Sequence, residues 1–199
     1  MSGALPTSPA PARIDLSDAT GGVVSRSLSG KRFARLLGGQ RWQVRVRYPV
    51  MTRAEFAPIW AFLASQQGQF GTFTVIPTDL AAPRGSWPGV PAVSGAHGVG
   101  VTAVTIGGFT NNTVGVAMAG DLIRFNGHTK AYLVTADANS GATGLATVSL
   151  NTPLVAPLVN TEPVISANTP VTVSLDGPVQ SYSVGRGLFY EFEFDAVEV

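Results

Sequence analysis

Two histidines, His97 and His128, are the only imidazoles in a chain of 199 residues, and cysteine is absent. That inventory sets a low ceiling on nucleophilic and metal chemistry. Without thiols there is no Cys nucleophile, no thiolate zinc site, no iron–sulfur cluster and no disulfide. A metal site would have to be assembled from His97, His128, Asp121 and Asp137, which do not stand at ligand spacing, so no metal or other cofactor is expected. His128 follows an Asn-Gly turn and His97 lies in a Gly/Pro-rich loop; both are expected to be solvated. The carboxylates Asp121, Asp137, Glu162 and Asp176 fall at expected strand ends and turns. A glycosidase acid and base could be drawn from them, as from any four carboxylates. No G-x-S-x-G, Walker loop, H-E-x-x-H or EF-hand series is present. Gly185-Arg186-Gly187 reads as a bend before the last strand. The chain is therefore not expected to be an enzyme.

Aromatic side chains raise a second chemistry, stacking on sugar rings. Trp42 and Trp60 fall on apolar faces and read as core. Trp87, between Ser86 and Pro88, is expected to be exposed or to lie against a neighbouring subunit. Trp87, His128 and Tyr132 are the candidate contacts for a glycan or a protein partner.

Charged residues make up 13% of the chain, against about 25% in an ordinary soluble domain. The net charge is +1, which argues against bulk nucleic-acid binding. A hydrophobic fraction of 45% excludes global disorder. No apolar run reaches the roughly 18 residues of a membrane helix, so membrane insertion is not expected. Residues 1–16 lack a basic stretch followed by an apolar one, so no secretory leader is expected. Only two residues are lysine and eleven are arginine. Interfaces are depleted in Lys and enriched in Arg, which points to assembly; the Arg bias of a GC-rich genome gives the same count.

The elements that must position these residues are mostly strands. Residues 1–12 read as an extended, proline-rich arm. Residues 40–48 alternate strictly, with Trp42, Val44, Val46 and Tyr48 on one face and Arg41, Gln43, Arg45 and Arg47 on the other, which predicts a strand with one buried side. Thr52 and Glu55 form a capping box. Phe56, Ile59, Trp60 and Leu63 share a helical face, so a helix is expected over 52–67, bent near Pro58. Phe73 and Val75 mark another strand. Residues 78–98 read as a linker or long loop. Residues 99–166 hold short strands with Gly and Asn turns, including a hairpin with a type I′ turn at Asn126-Gly127, and predict a small antiparallel barrel or sandwich. Long strands resume at 171–175 and over 178–199. The outer thirds share a style that the middle lacks, so the middle reads as an insertion: residues 1–80 with 168–199 form one domain, and residues 81–167 form a linker and inserted domain.

Charge follows the same division. Arg26 to Arg53 holds eight basic residues and no acidic one, whereas Glu191 to Glu198 holds four acidic residues and no basic one. An Arg41/Arg45/Arg47 face beside a Glu191/Glu193/Asp195 face would form a cross-strand charge ladder, within one subunit or between two.

Residues 27–77 hold a Gly-Gly-Gln-Arg-Trp strand, a Tyr-Pro-x-Met-Thr-Arg-Ala-Glu helix start and then Gly-Gln-Phe-Gly-Thr-Phe. This stretch resembles minor tail proteins of long-tailed bacteriophages, most of all the distal tail protein group. The segment AGDLIRFNGHTKAYLVTAD, the later Thr-Pro-Leu and the aromatic–acidic ending resemble phage tail sequences too. The resemblance implies a mainly β chain. Its first part would be a β-sandwich with a β-hairpin and one helix that builds a ring, commonly a hexamer, between the tail tube and the tail hub or tip. Its second would be an oligonucleotide/oligosaccharide-binding-like or galectin-like barrel. The implied partners are further copies of the chain, tail tube, hub and tape measure proteins, and receptor-binding proteins or host glycan. The implied location is the virion tail tip, after assembly in the host cytoplasm. The return of the C-terminal strand to the first domain departs from a tandem arrangement, which leaves a distal tail protein and another tail-tip ring protein as alternatives. A carbohydrate-binding accessory module is the alternative function.

Overall fold

A computed structural model of the chain describes residues 3–178 and 180–199. In chain order the elements are β1 (Arg13–Ala19), β2 (Gly22–Arg26), β3 (Arg32–Leu36), β4 (Arg41–Arg47), α1 (Arg53–Ser65), β5 (Phe73–Val75), β6 (Ala92–Val93), β7 (Ala103–Gly107), β8 (Leu122–Phe125), β9 (Ala131–Leu133), β10 (Ala146–Ser149), β11 (Val164–Ile165), β12 (Val171–Leu175), β13 (Ser183–Val184), β14 (Tyr190–Glu191) and β15 (Glu193–Glu198). The protein is mainly β, with one α-helix and several antiparallel sheets. It divides into two compact units: the N-terminal segment up to Phe73 together with Val173–Val199, and Thr74–Thr172.

The first unit is organised by β4. Its alternation buries Trp42, Val44, Val46 and Tyr48 and exposes Arg41, Gln43, Arg45 and Arg47. It pairs antiparallel with β1 on one side and with β15 on the other, inside a sheet ordered β1-β4-β15-β12-β5. In β15 the same period buries Phe194, Ala196 and Glu198. The register sets Val46 against Phe194 and Val44 against Ala196, so the apolar faces coincide.

Helix α1 covers that apolar face with Phe56, Ile59 and Leu63. Its N-terminus forms as the capping box requires: the Thr52 backbone N–H and hydroxyl both donate to Glu55 Oε2 at 2.8 Å. Those two bonds hold the Glu55 carboxyl below its ordinary pKa. The helix runs through Pro58. Phe56 stacks on Tyr190 at 4.8 Å, and Trp60 meets Tyr182 edge-on at 4.9 Å. Aromatic area of this kind dominates the burial that holds helix to sheet.

The second unit differs from the expected barrel. It holds two three-stranded antiparallel sheets, β10-β7-β6 and β11-β8-β9. They meet at isolated bridges, Val134 with Leu150 and Ala92 with Pro163, so no closed barrel forms. The strands are too short for continuous ladders, three to five residues in β7 to β10. Between them a core of Val104, Ile106, Ile123, Phe125, Tyr132 and Val148 is fully buried. Residues 78–98 are not a loose connector: Trp87 and Val93 belong to this core, and β6 pairs with β7.

The β8–β9 hairpin forms, but not with the expected turn. Neither Asn126 nor Gly127 takes the positive φ of a type I′ turn. Gly127 serves close approach instead. Its N–H donates to Glu162 Oε1 at 2.8 Å, and a Cβ there would stand 2.9 Å from the same oxygen.

The Tyr48 hydroxyl is buried without a hydrogen-bond partner, and burial pushes its pKa up to about 12. The unfolded phenol titrates near 10. A raised folded pKa gives stability that is complete below the unfolded value and is lost as pH rises through the folded one. Tyr48→Phe is therefore expected to match or exceed the parent by up to about 1 kcal/mol at neutral pH. It should also lose less stability between about pH 10 and 12. Urea unfolding at the two pH values checks both.

Candidate functional site

The polar face of the first unit's sheet carries the charge cluster. Arg45 donates through Nε to Asp195 Oδ1 at 2.6 Å and through Nη2 to Oδ2 at 3.0 Å, a two-pronged contact. Arg47 Nε lies 3.0 Å from Glu193 Oε2. The register puts these pairs directly opposite one another. On the other side of β4, Asp15 stands opposite Arg45 and Arg13 opposite Arg47, and Arg13 Nε donates to Asp15 Oδ1 at 2.6 Å. The Asp15–Arg45–Asp195 row therefore alternates in sign across three strands, whereas in the next row Arg13 and Arg47 stand side by side and Glu193 faces Arg47. The guanidinium of Arg45 holds the Asp195 carboxyl below its ordinary pKa, and Asp195 in turn raises Arg45.

Two members of the expected ladder are elsewhere. Glu191 lies on β14, opposite Ser183. Arg41 stands opposite Ala19 at the far end of β4. The register explains both: extended outward it sets position 191 against Pro49, which cannot continue the ladder, and position 41 against Val199. Glu198 is acidic but shares the parity of Phe194 and Ala196. It is fully buried and accepts a hydrogen bond from the Trp42 N–H at 3.2 Å.

The three residues named for glycan or partner contact are core residues. Trp87 is 8% exposed, His128 7% and Tyr132 0%. The Trp87 indole N–H donates to Asp121 Oδ2 at 2.8 Å. His128 Nδ1 and the Tyr132 hydroxyl are 3.1 Å apart, and that hydroxyl also accepts from the Val155 N–H at 3.2 Å. None presents a ring face to solvent for a sugar to stack on. His97 is half-buried, its Nε2 3.3 Å from the Thr105 N–H and from the Ser94 carbonyl.

Asp121 is a carboxylate whose surroundings look like a built site. It is 1% exposed. It accepts from the backbone N–H groups of Arg84 at 2.6 Å, Gly85 at 3.1 Å and Met118 at 2.9 Å, and from Trp87. Every oxygen position is taken by a donor of the chain. A Cβ on Gly85 would lie 2.7 Å from Oδ2, so only glycine allows that approach. The arrangement pins residues 84–87 to the 118–121 turn and leaves Asp121 no oxygen for a substrate. Glu162 and Asp137 do the same on a smaller scale, accepting from Gly127 and Val159, and from Ala119. Asp176 is different: it is exposed and makes no ion pair among the described residues.

Among the described residues no three His, Cys, Asp or Glu side chains converge as metal ligands. No helix among the described residues is long and apolar enough to cross a membrane. No family model matches the chain, and no curated protein matches it. The first unit presents a sheet surface of paired charges; in the second unit Asp121, Glu162 and Asp137 accept from its own backbone.

Asp195 has a lowered folded pKa, so its contribution is present above the unfolded value near 3.9 and is lost as pH falls through the folded one. Asp195→Asn should flatten the acid limb of the stability curve; acid titrations followed by circular dichroism check this. Asp121→Ala strands several buried donors and should destabilise the second unit by about 3–5 kcal/mol. Urea unfolding read at Val104 and Ile123 measures it.

Proposed function

We propose that the chain is a structural subunit of a bacteriophage tail tip, assembling into a ring that joins the tail tube to the tail hub and docks peripheral tail proteins. The observation that carries this reading is the segment whose residues resemble phage tail proteins. Its strand, capped helix and following strand (β4, α1, β5) form one sheet-and-helix layer. The unit that contains it extends a β2–β3 hairpin whose residues are exposed on both faces, including Val23, Val24, Phe33 and Leu36. Soluble monomers rarely leave apolar strands uncovered in this way, and contiguous patches of this kind mark interfaces. The low Lys content fits a surface covered by other subunits.

In this reading the first unit supplies the ring and the second a platform for further tail proteins. Its partners are copies of itself, the tail tube protein, hub proteins and the tape measure protein, and its place is the virion. The carbohydrate-binding alternative loses Trp87, His128 and Tyr132, all of which lie in the core.

Native mass spectrometry of the purified protein at micromolar concentration is expected to give one closed multiple of the subunit mass, a hexamer in the commonest arrangement of the resembled group. Co-expression with a tail tube protein of the same phage should give a joint complex. A lone 20.6 kDa species under both conditions would contradict the reading.

A further inference from the structure

The β2–β3 hairpin of the first unit is covered by nothing among the described residues. Among the described residues its two strands pair only with each other, and every residue from Gly22 to Leu36 is exposed. A two-stranded hairpin without a covered face is marginal in water. This one also carries a built-in repulsion. Its register sets Arg26 directly opposite Arg32, with Arg35 and Lys31 close by and no acidic residue in the hairpin. Like charges directly opposite destabilise a strand pair. Carboxylates supplied from outside would reverse that penalty.

The same unit presents such a carboxylate. A groove of about 360 Å³ is lined by Asp176, Glu193, Asp195, Gly177, Gln180 and Ser181; Glu193 and Asp195 already pair with Arg47 and Arg45 of the same sheet. Asp176 makes no ion pair among the described residues.

The chain cannot close this contact on itself. The hairpin leaves the sheet beyond the Ala19–Arg41 pair. Asp195 and Glu193 stand opposite Arg45 and Arg47, toward the other end of β4. At about 3.3 Å per residue the separation along the strand is roughly 13–20 Å, and the hairpin extends the opposite way. Gly38 and Gly39, both at positive φ with open space around them, join hairpin to β4 and set it off from the sheet. A donor at one end of the sheet and an acceptor at the other describe a head-to-tail contact, which generates a ring when the rotation closes.

We propose that the β2–β3 hairpin docks into the groove beside Asp176 of a second copy of the chain, placing Arg26 and Arg32 against that carboxylate. This rests on the ring reading above and names its interface. The apolar residues Val24 and Leu36, on the same face of the hairpin as Arg26 and Arg32, are buried in the contact.

The chain has no cysteine, so introduced thiols report without background. Arg32→Cys and Asp176→Cys are made in separate chains, mixed and mildly oxidised. The expected result is a disulfide-linked dimer of the two variants, and a ladder of linked chains when both substitutions share one chain. In parallel, Arg26→Glu with Arg32→Glu should weaken association by about tenfold or more, with the thermal midpoint of the isolated subunit unchanged. Adding Asp176→Arg should restore part of the loss. If oligomers form but do not cross-link, and the charge-reversed hairpin assembles normally, this interface is wrong while the ring stands. If the parent chain stays a single subunit, both are wrong. If the hairpin instead responds to single-stranded DNA and the subunits do not associate, the partner assigned here is wrong.

Discussion

The pairing of β4 with β15 is the contact on which the first unit depends. It joins residues about 150 positions apart, and it must form before there is an apolar face for α1 to cover. Everything in that unit follows from its register. One residue of slip would turn Val44, Val46, Phe194 and Ala196 to solvent and bury the arginines. The Arg45–Asp195 and Arg47–Glu193 contacts are exposed and individually weak, but they exist only in the native register. They specify which alignment forms, while the aromatic layer of Phe56, Tyr190, Phe192 and Trp60 supplies the burial.

The two units spend their polar residues differently, and that difference bears on what each can do. In the first, charged side chains stand on one exposed sheet face. In the second, Asp121, Glu162 and Asp137 accept backbone N–H groups of loops that make no ladder. With strands so short, the loops would otherwise leave buried donors unmatched. In the second unit these carboxylates therefore serve to hold its loops in place. The first has charge and apolar area left over at the β2–β3 hairpin.

The sequence makes plain those elements in which one face is buried. Strict alternation marks β4 and β15, and the Thr52–Glu55 box marks the start of α1; the helix ends at Ser65, two residues before the expected limit. It hides what depends on partners distant in the chain. β1 is an edge strand with only Ile14 and Leu16 as apolar markers, so Arg13 and Asp15 were invisible as members of the charged face. Trp87 looks exposed because its neighbours are Ser86 and Pro88; it is buried because an Asp 34 residues later takes its N–H. The same holds for His128 beside Tyr132. The turn at Asn126-Gly127 shows the limit from the other direction: the dipeptide marks a turn, but Glu162 decides its geometry. The expected barrel failed for want of strand length, a quantity that turn spacing alone does not convey.

Native-state hydrogen exchange on the full chain tests the dependence on β4 and β15 most directly. Amides of Val44 and Val46 and those of Phe194 and Ala196 should open in one cooperative step, with the same free energy and the same denaturant dependence, and the helix amides of Ile59 and Leu63 should open with them. Exchange in which β15 opens at low denaturant while β4 and α1 stay protected would contradict the central role of that pairing.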